Sequence, residues 1–236
     1  MKAEKISELT TNRLSVYLRC LNALAAENIK TVSSEGLANR FHLNSAQIRK
    51  DLAYFGEFGV RGVGYYVEEL RNTLTNILGL DKEHRVGIVG AGRLGTALAD
   101  YYGFKRSNFN VIALFDTSRE KIGRRIGKSK ILVYNFTDFA ATVRQENIDV
   151  VVIAVPAEFA QEVYSEVIKA GIKAVLNFAP SSLQAHNNIK LKTVDLTISL
   201  ESLSYFLAQP QSENSASPEN NNARHEQPLT RKKQLK

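Results

Sequence analysis

Cysteine is nearly absent from this chain. Its 236 residues contain one, Cys20, which excludes an internal disulfide framework and a cysteine-rich zinc site. No apolar run approaches the roughly 20 residues that span a bilayer as a helix. The N-terminal segment MKAEKISELTTNR is charged and lacks the apolar core of a secretory signal, so the cytoplasm is the expected compartment. Internal repeats are missing too. Charge of one sign is not concentrated anywhere: the net +7 divides into +2 for residues 1–80, +3 for 81–208 and +2 for 209–236. A basic chain is compatible with a polyanionic partner, but so even a spread does not identify one.

What is present falls into three parts. Residues 1–80 read as helix-rich, with a glycine-rich stretch from Gly56 to Gly64. Residues 81–208 alternate short β-branched runs with helical patterns, and 209–236 are rich in Asn, Ser, Pro and Gln. That last segment has too little apolar surface to offset its ordering entropy and is expected to be a disordered tail. In the first part, Leu14, Tyr17, Leu18, Leu21 and Leu24 predict a helix over about Thr11–Glu27. Ser33 or Ser34 caps a short second helix through Phe41. Asn44, three residues before Gln47, resembles a capping box and opens a third helix, Ser45–Phe55, ending at Gly56. Ile48, Leu52 and Phe55 form its inward stripe.

The second part is expected to hold strands at Arg85–Val89, Val111–Phe115, Leu132–Tyr134, Val150–Val155, Ala174–Asn177 and Lys192–Asp195. Helices at Leu94–Tyr102 and Ala157–Ala170 lie between them. Such alternation indicates an α/β fold, a parallel sheet covered on both faces. A last helix, Ile198–Ala208, has more apolar surface than one face needs.

The clearest chemical motif is Gly90-Ala91-Gly92-Arg93-Leu94-Gly95, placed after a predicted strand and opening a predicted helix. Gly90 permits the tight turn, Gly92 lets the backbone approach a pyrophosphate, and Gly95 lets helix and strand pack closely. Asp116 ends the next strand, 21 residues beyond Gly95. A carboxylate there accepts the ribose hydroxyls of an adenosine and repels a 2′-phosphate, which favours NAD(H) over NADP(H). Arg119, Arg124 and Arg125 follow closely and soften that preference. Val155 and Pro156 close one later strand and Asn177 another; these can line the nicotinamide side of the crevice, or serve as ordinary turn residues. An enzyme would need a positioned acid or base. None of the four histidines, His42, His84, His186 and His225, stands in an obvious catalytic setting, and no length remains for a separate substrate domain.

In the third predicted helix, Ser45, Gln47, Arg49, Lys50 and Tyr54 lie off the apolar stripe, a set suited to phosphates and base edges. With the preceding short helix they make a helix-turn-helix pattern. Gly56–Gly64 can then form a wing with Arg61 at its tip, where it can enter a narrow minor groove. A helical interaction module with a solvated basic face has the same pattern.

Four strings carry a family resemblance. QIRKDLAYFGEFGVRGVGY at 47–65, GAGRLGTALADYYGF at 90–104, VPAEFAQEVYSEVIKAGIKAVLNFAP at 155–180 and VDL at 194–196 closely resemble the Rex family of bacterial redox-sensing transcriptional repressors. The resemblance covers about residues 12–208. It implies an N-terminal winged helix-turn-helix domain over 1–80 and a Rossmann-type parallel-sheet domain over 81–208, whose final helix crosses to the partner of a homodimer. It also implies a palindromic double-stranded operator, NADH as the ligand that lowers operator affinity, and NAD⁺ as a competitor without that effect. Tyr101 matches a tyrosine near the nicotinamide. Asp195 and Arg19 match an aspartate and an arginine that pair between opposite subunits in one state. Position 93 is Arg where many members have Asn, and 196 is Leu where some have an aromatic. Competing readings are a small NAD-dependent oxidoreductase with a helical oligomerisation domain, and a nucleotide- or CoA-binding module without DNA contact.

Overall fold

The computed structural model describes residues 6–208; the polar segment 209–236, with His225, lies outside the described residues. Helix α1 (Glu8–Ala26) starts three residues before the expected Thr11, because the Ser7 hydroxyl accepts the Thr10 N–H at 3.1 Å. Its inward face is the expected one, joined by Cys20. A two-residue strand, β1 (Thr31–Val32), leads to α2 (Ser34–Phe41), capped by Ser33 and closed by His42 in the left-handed region. Asn44 caps α3 (Ser45–Ala53), its Oδ1 accepting the Gln47 N–H at 2.9 Å.

Two details of α3 differ from expectation. The Gln47 side chain does not return to Asn44; it donates to Asp51 Oδ1 at 2.8 Å. The helix also stops two residues before Phe55, whose N–H reaches the Leu52 carbonyl in a tightened last turn. Gly56, at φ 147°, starts the extended run into the wing rather than capping the helix.

The wing is a hairpin of β2 (Gly59–Val60) and β3 (Gly64–Tyr66), with Arg61, Gly62 and Val63 in the turn. β1 pairs with the other edge of β3, giving the order β1-β3-β2. A Cβ at Gly64 would lie 2.5 Å from the Val32 carbonyl oxygen, so the close approach of these strands requires glycine. Helix α4 (Val67–Ile77) follows directly and packs on α1, burying Val67, Leu70 and Leu74. It is absent from the sequence reading because no capping side chain announces it: its N-cap is Tyr66, the last residue of β3. These elements share one apolar core.

The sheet that follows contains β4 (His84–Val89), then α5 (Arg93–Ala99), α6 (Tyr102–Arg106), β5 (Phe109–Asp116), β6 (Arg125–Ile126), β7 (Ile131–Asn135), α7 (Phe139–Gln145), β8 (Val150–Ile153), α8 (Ala157–Lys169), β9 (Ala174–Asn177) and β10 (Lys190–Thr193). The order is β10-β9-β8-β4-β5-β7-β6, parallel except for β6 against β7. Alternate residues feed separate cores: Val151 and Ile153 of β8 pack with Phe115 and Tyr164, and Val152 packs with Ile88 and Leu114. β4 lies between β5 and β8, the point where the winding direction reverses and a crevice opens at the strands' carboxyl ends.

The helix expected over Leu94–Tyr102 is broken in two. Asp100 ends α5, and its carboxylate accepts the N–H groups of Lys128 and Ser129, both at 2.8 Å, in the turn between β6 and β7. That contact diverts the chain before α6. The last strand lies two residues earlier than expected, so Asp195 follows it instead of belonging to it. Helix α9 (Leu196–Ala208), described by itself, starts at Leu196 rather than Ile198 and leaves Ile198, Leu200, Leu203 and Phe206 exposed. Among the described residues no helix is long and apolar enough to cross a membrane.

Candidate functional site

The glycine motif sits where β4 gives way to α5, and three glycines meet three different demands. Gly90 has φ +104°, and a Cβ there would come within 2.4 Å of the Ala154 carbonyl oxygen. At Gly95 a Cβ would lie 1.8 Å from the Gly90 carbonyl oxygen, so only glycine lets α5 pack against the turn. Around Gly92 nothing lies within 4 Å of the Cβ position. The turn is thus closed toward the protein and open on one side. It opens into a cavity of about 540 Å³ lined by Gly90, Gly92, Asp116, Thr117, Val155 and Pro156.

Asp116 closes that cavity at the end of β5. Its Oδ1 accepts the Ser118 N–H at 2.8 Å, and Oδ2 accepts the Ala91 N–H and the Lys121 ammonium, each at 3.0 Å. Burial pushes this carboxyl's pKa up, but those three donors outweigh it and hold it below the ordinary carboxylate value. The Gly92 opening, the half-buried carboxylate and the apolar wall at Val155 and Pro156 fit the adenosine diphosphate half of a dinucleotide. Ala91 contributes through its backbone, being itself buried, while Arg93 and Leu94 are exposed in the first turn of α5.

Three other candidates lie elsewhere. Asn177 is fully buried; its amide donates to the Ala179 carbonyl at 3.1 Å and accepts the Ala179 N–H at 3.0 Å. The structure therefore gives it the turn role, not a place on the cavity wall. Tyr101, 58% exposed, stacks edge-on against Phe104 and lines a second cavity of about 650 Å³. Arg19 and Asn22 of α1 line the same cavity, with Val86, Val152 and Leu176 from the other face of the sheet. Tyr101 and Arg19 are thus brought together, apart from the glycine turn. Asp195 is partly buried and lines neither cavity. Beside it in sequence, Lys192 donates to Asn12 Oδ1 at 3.0 Å and lies 3.3 Å from Glu8, tying β10 to α1.

On α3 and the wing, Arg49, Lys50, Tyr54 and Arg61 are exposed, and Ser45 and Gln47 partly so. The Arg49 guanidinium rests on the Ser34 hydroxyl at 2.8 Å, which links α3 to the start of α2. Beneath this surface lies a group the sequence reading missed. Asp51, 4% exposed, accepts from Arg13 Nη2 at 2.8 Å, the Tyr17 hydroxyl at 2.9 Å and Gln47 Nε2 at 2.8 Å. Burial acts to raise the Asp51 pKa, but its bonds to Arg13, Tyr17 and Gln47 hold it low; burial, then the bond to Asp51, pushes the Tyr17 phenol up. The signal for Asp51 was its spacing, since 48, 51, 52 and 55 fall on one helical face. Its partners on α1, more than thirty residues away, gave no such signal. Among the described residues no group of three or more His, Cys, Asp or Glu is arranged to hold a metal.

Residues 5–53 match the model of a putative DNA-binding protein N-terminus, and 81–181 match that of a CoA binding domain. A curated relative from Carboxydothermus hydrogenoformans, named redox-sensing transcriptional repressor Rex, is 45% identical over 205 residues, covering 87% of this chain and 98% of its own. Among solved structures, RSP in complex with β-NAD⁺ and operator DNA is 37% identical with a TM-score of 0.82, covering 86% of this chain and 93% of that one. RSP in complex with β-NADH is 35% identical with a TM-score of 0.77, covering 86% and 95%. The CoA-type match alone would leave a plain nucleotide module open; the relatives that extend across both regions do not.

Proposed function

Because the chain belongs to the Rex family of redox-sensing transcriptional repressors, we propose that NADH bound at the Gly90–Gly95 turn lowers its affinity for operator DNA. The protein is a DNA-binding repressor, not an enzyme, and its ligands are NADH and NAD⁺. The observation that carries the reading is the pairing of two surfaces in one chain: exposed Arg49, Lys50 and Arg61 on a winged helix, and a glycine turn opening toward Asp116. Residues 1–80 read the operator and 81–208 read the nucleotide. Its place of action is the cytoplasm, where the operator is.

A ligand shifts a two-state equilibrium only through its different affinities for the two states. NADH and NAD⁺ differ at the nicotinamide ring, neutral and puckered in one, planar and cationic in the other. Discrimination therefore arises near that ring, and Tyr101 with Asp195 are our candidates. In the DNA-bound state Arg19 of one subunit pairs with Asp195 of the other. NADH favours a closed homodimer in which Asp195 turns to Tyr101 and the two wings no longer match successive major grooves of a palindrome. The placement of Arg19 and Tyr101 on one cavity supports this.

Coupling is reciprocal, so operator must weaken NADH binding by the factor by which NADH weakens operator binding. We expect Asp195→Ala and Tyr101→Phe to shrink that factor more than they weaken nucleotide binding. The measurement is NADH affinity at fixed salt, with and without saturating operator. An unchanged factor in both variants would remove the switch while leaving the repressor assignment intact.

A further inference from the structure

We propose that Lys121 is a specificity-determining residue of the nucleotide site: its ammonium holds an acceptor position on Asp116 that a free ribose diol needs, and its charge favours a 2′-phosphorylated ribose. This rests on the reading of Asp116 as the ribose acceptor. A carboxylate offers about four acceptor positions, two on each oxygen. Ala91 and Lys121 both donate to Oδ2, and Ser118 donates to Oδ1. One position remains, on Oδ1. Two adjacent ribose hydroxyls binding side by side need one position on each oxygen, so a donor must leave Oδ2.

The Ala91 N–H is fixed in the glycine turn, where Ala91 is buried. Lys121 is 39% exposed and reaches Asp116 through a flexible four-carbon stem. Of the two donors on Oδ2, it is the one that can swing away. A free diol therefore competes with Lys121 for Asp116. A 2′-phosphate meets the opposite situation: it brings negative charge toward a carboxylate, and an ammonium already at that carboxylate neutralises part of the repulsion. Asp116 selects against the phosphate and Lys121 blunts the selection.

Adenosine diphosphate ribose and its 2′-phosphorylated form test this without engaging the nicotinamide switch. Their affinities are measured by calorimetry at one ionic strength for wild type, Lys121→Met, Lys121→Gln and Asp116→Asn. We expect both Lys121 variants to bind the unphosphorylated ligand about two- to five-fold tighter, the size of a half-exposed ion pair. They should bind the phosphorylated ligand more weakly, so that discrimination rises by about ten-fold, with melting temperature unchanged. Unchanged or reduced discrimination in both Lys121 variants, with Asp116→Asn losing affinity for the free diol, overturns the role of Lys121 alone. If Asp116→Asn binds both ligands as wild type does, the ribose reading itself falls, and this proposal with it.

Discussion

At the scale of single residues, Gly92 and Gly95 separate stability from binding. A Cβ at Gly95 has backbone 1.8 Å away and no room to yield, whereas one at Gly92 meets nothing within 4 Å. Gly95→Ala should therefore lose about 1–3 kcal/mol of stability through overpacking. Gly92→Ala should stay within about 0.5 kcal/mol of wild type, yet bind NADH more weakly, because its methyl group enters the open side. Thermal unfolding and NADH titration of both variants check this; a Gly92→Ala protein with wild-type affinity would place the phosphates elsewhere. Asp51 is a second such residue. Asp51→Ala leaves the buried Tyr17 hydroxyl without its acceptor, at a cost of about 1–3 kcal/mol. Its folded pKa is depressed, so its contribution is present above the unfolded value of about 3.9 and is lost as pH falls through the lower folded value. In urea unfolding, the stability gap between wild type and Asp51→Asn should be level from pH 7 to about pH 5 and shrink below about pH 4. A gap undiminished between pH 5 and pH 3 would mean the carboxylate charge is not what matters.

At the scale of elements, the winged helix was legible where local chemistry fixes it. Ser33 and Asn44 cap the second and third helices as their positions promised, and the glycines of 56–64 form the hairpin with Arg61 in its turn. What escaped was set by distant partners. Gln47 looked like half of a capping box and a base reader, but Asp51 holds its amide. Arg49, expected among the groups facing phosphates and base edges, rests on Ser34. Helix α4 had no cap to declare it and is held by packing on α1. These contacts hold α3 in place beneath the proposed DNA-facing surface, on which Lys50 and Arg61 at the wing tip are exposed cations. Arg61→Ala should weaken operator binding across sequences and lower the slope of log affinity against log salt by about 1, with folding unchanged. A slope and affinity equal to wild type would keep the wing off the DNA.

At the scale of the whole molecule, α9 is the helix that leaves the most apolar surface exposed among the described residues. Its large apolar side chains, from Leu203 at 58% exposed to Leu207 at 87%, surround the helix instead of forming one stripe. A helix apolar on all sides is stable in water when it is covered, and in a homodimer a second copy covers it. Replacing Leu200 and Leu203 with Asp should convert the proposed dimer to a monomer in sedimentation and, because two half-sites must be held together, abolish palindromic operator binding. A double variant that still sediments as a dimer would locate the interface outside α9. By itself the sequence determined the alternation of parallel strands and helices after residue 81, the glycine turn with its following carboxylate, and the helix-turn-helix with its wing. All of these depend on residues within a few positions of one another or on a motif of fixed spacing. Tertiary structure alone decided that Asp100 breaks a helix by capping a distant turn, that Asn177 serves its own turn, that Asp51 joins α3 to α1, and that Tyr101 and Arg19 share a cavity. Each of those outcomes depends on which groups a side chain meets across the fold, and linear spacing carries no record of that.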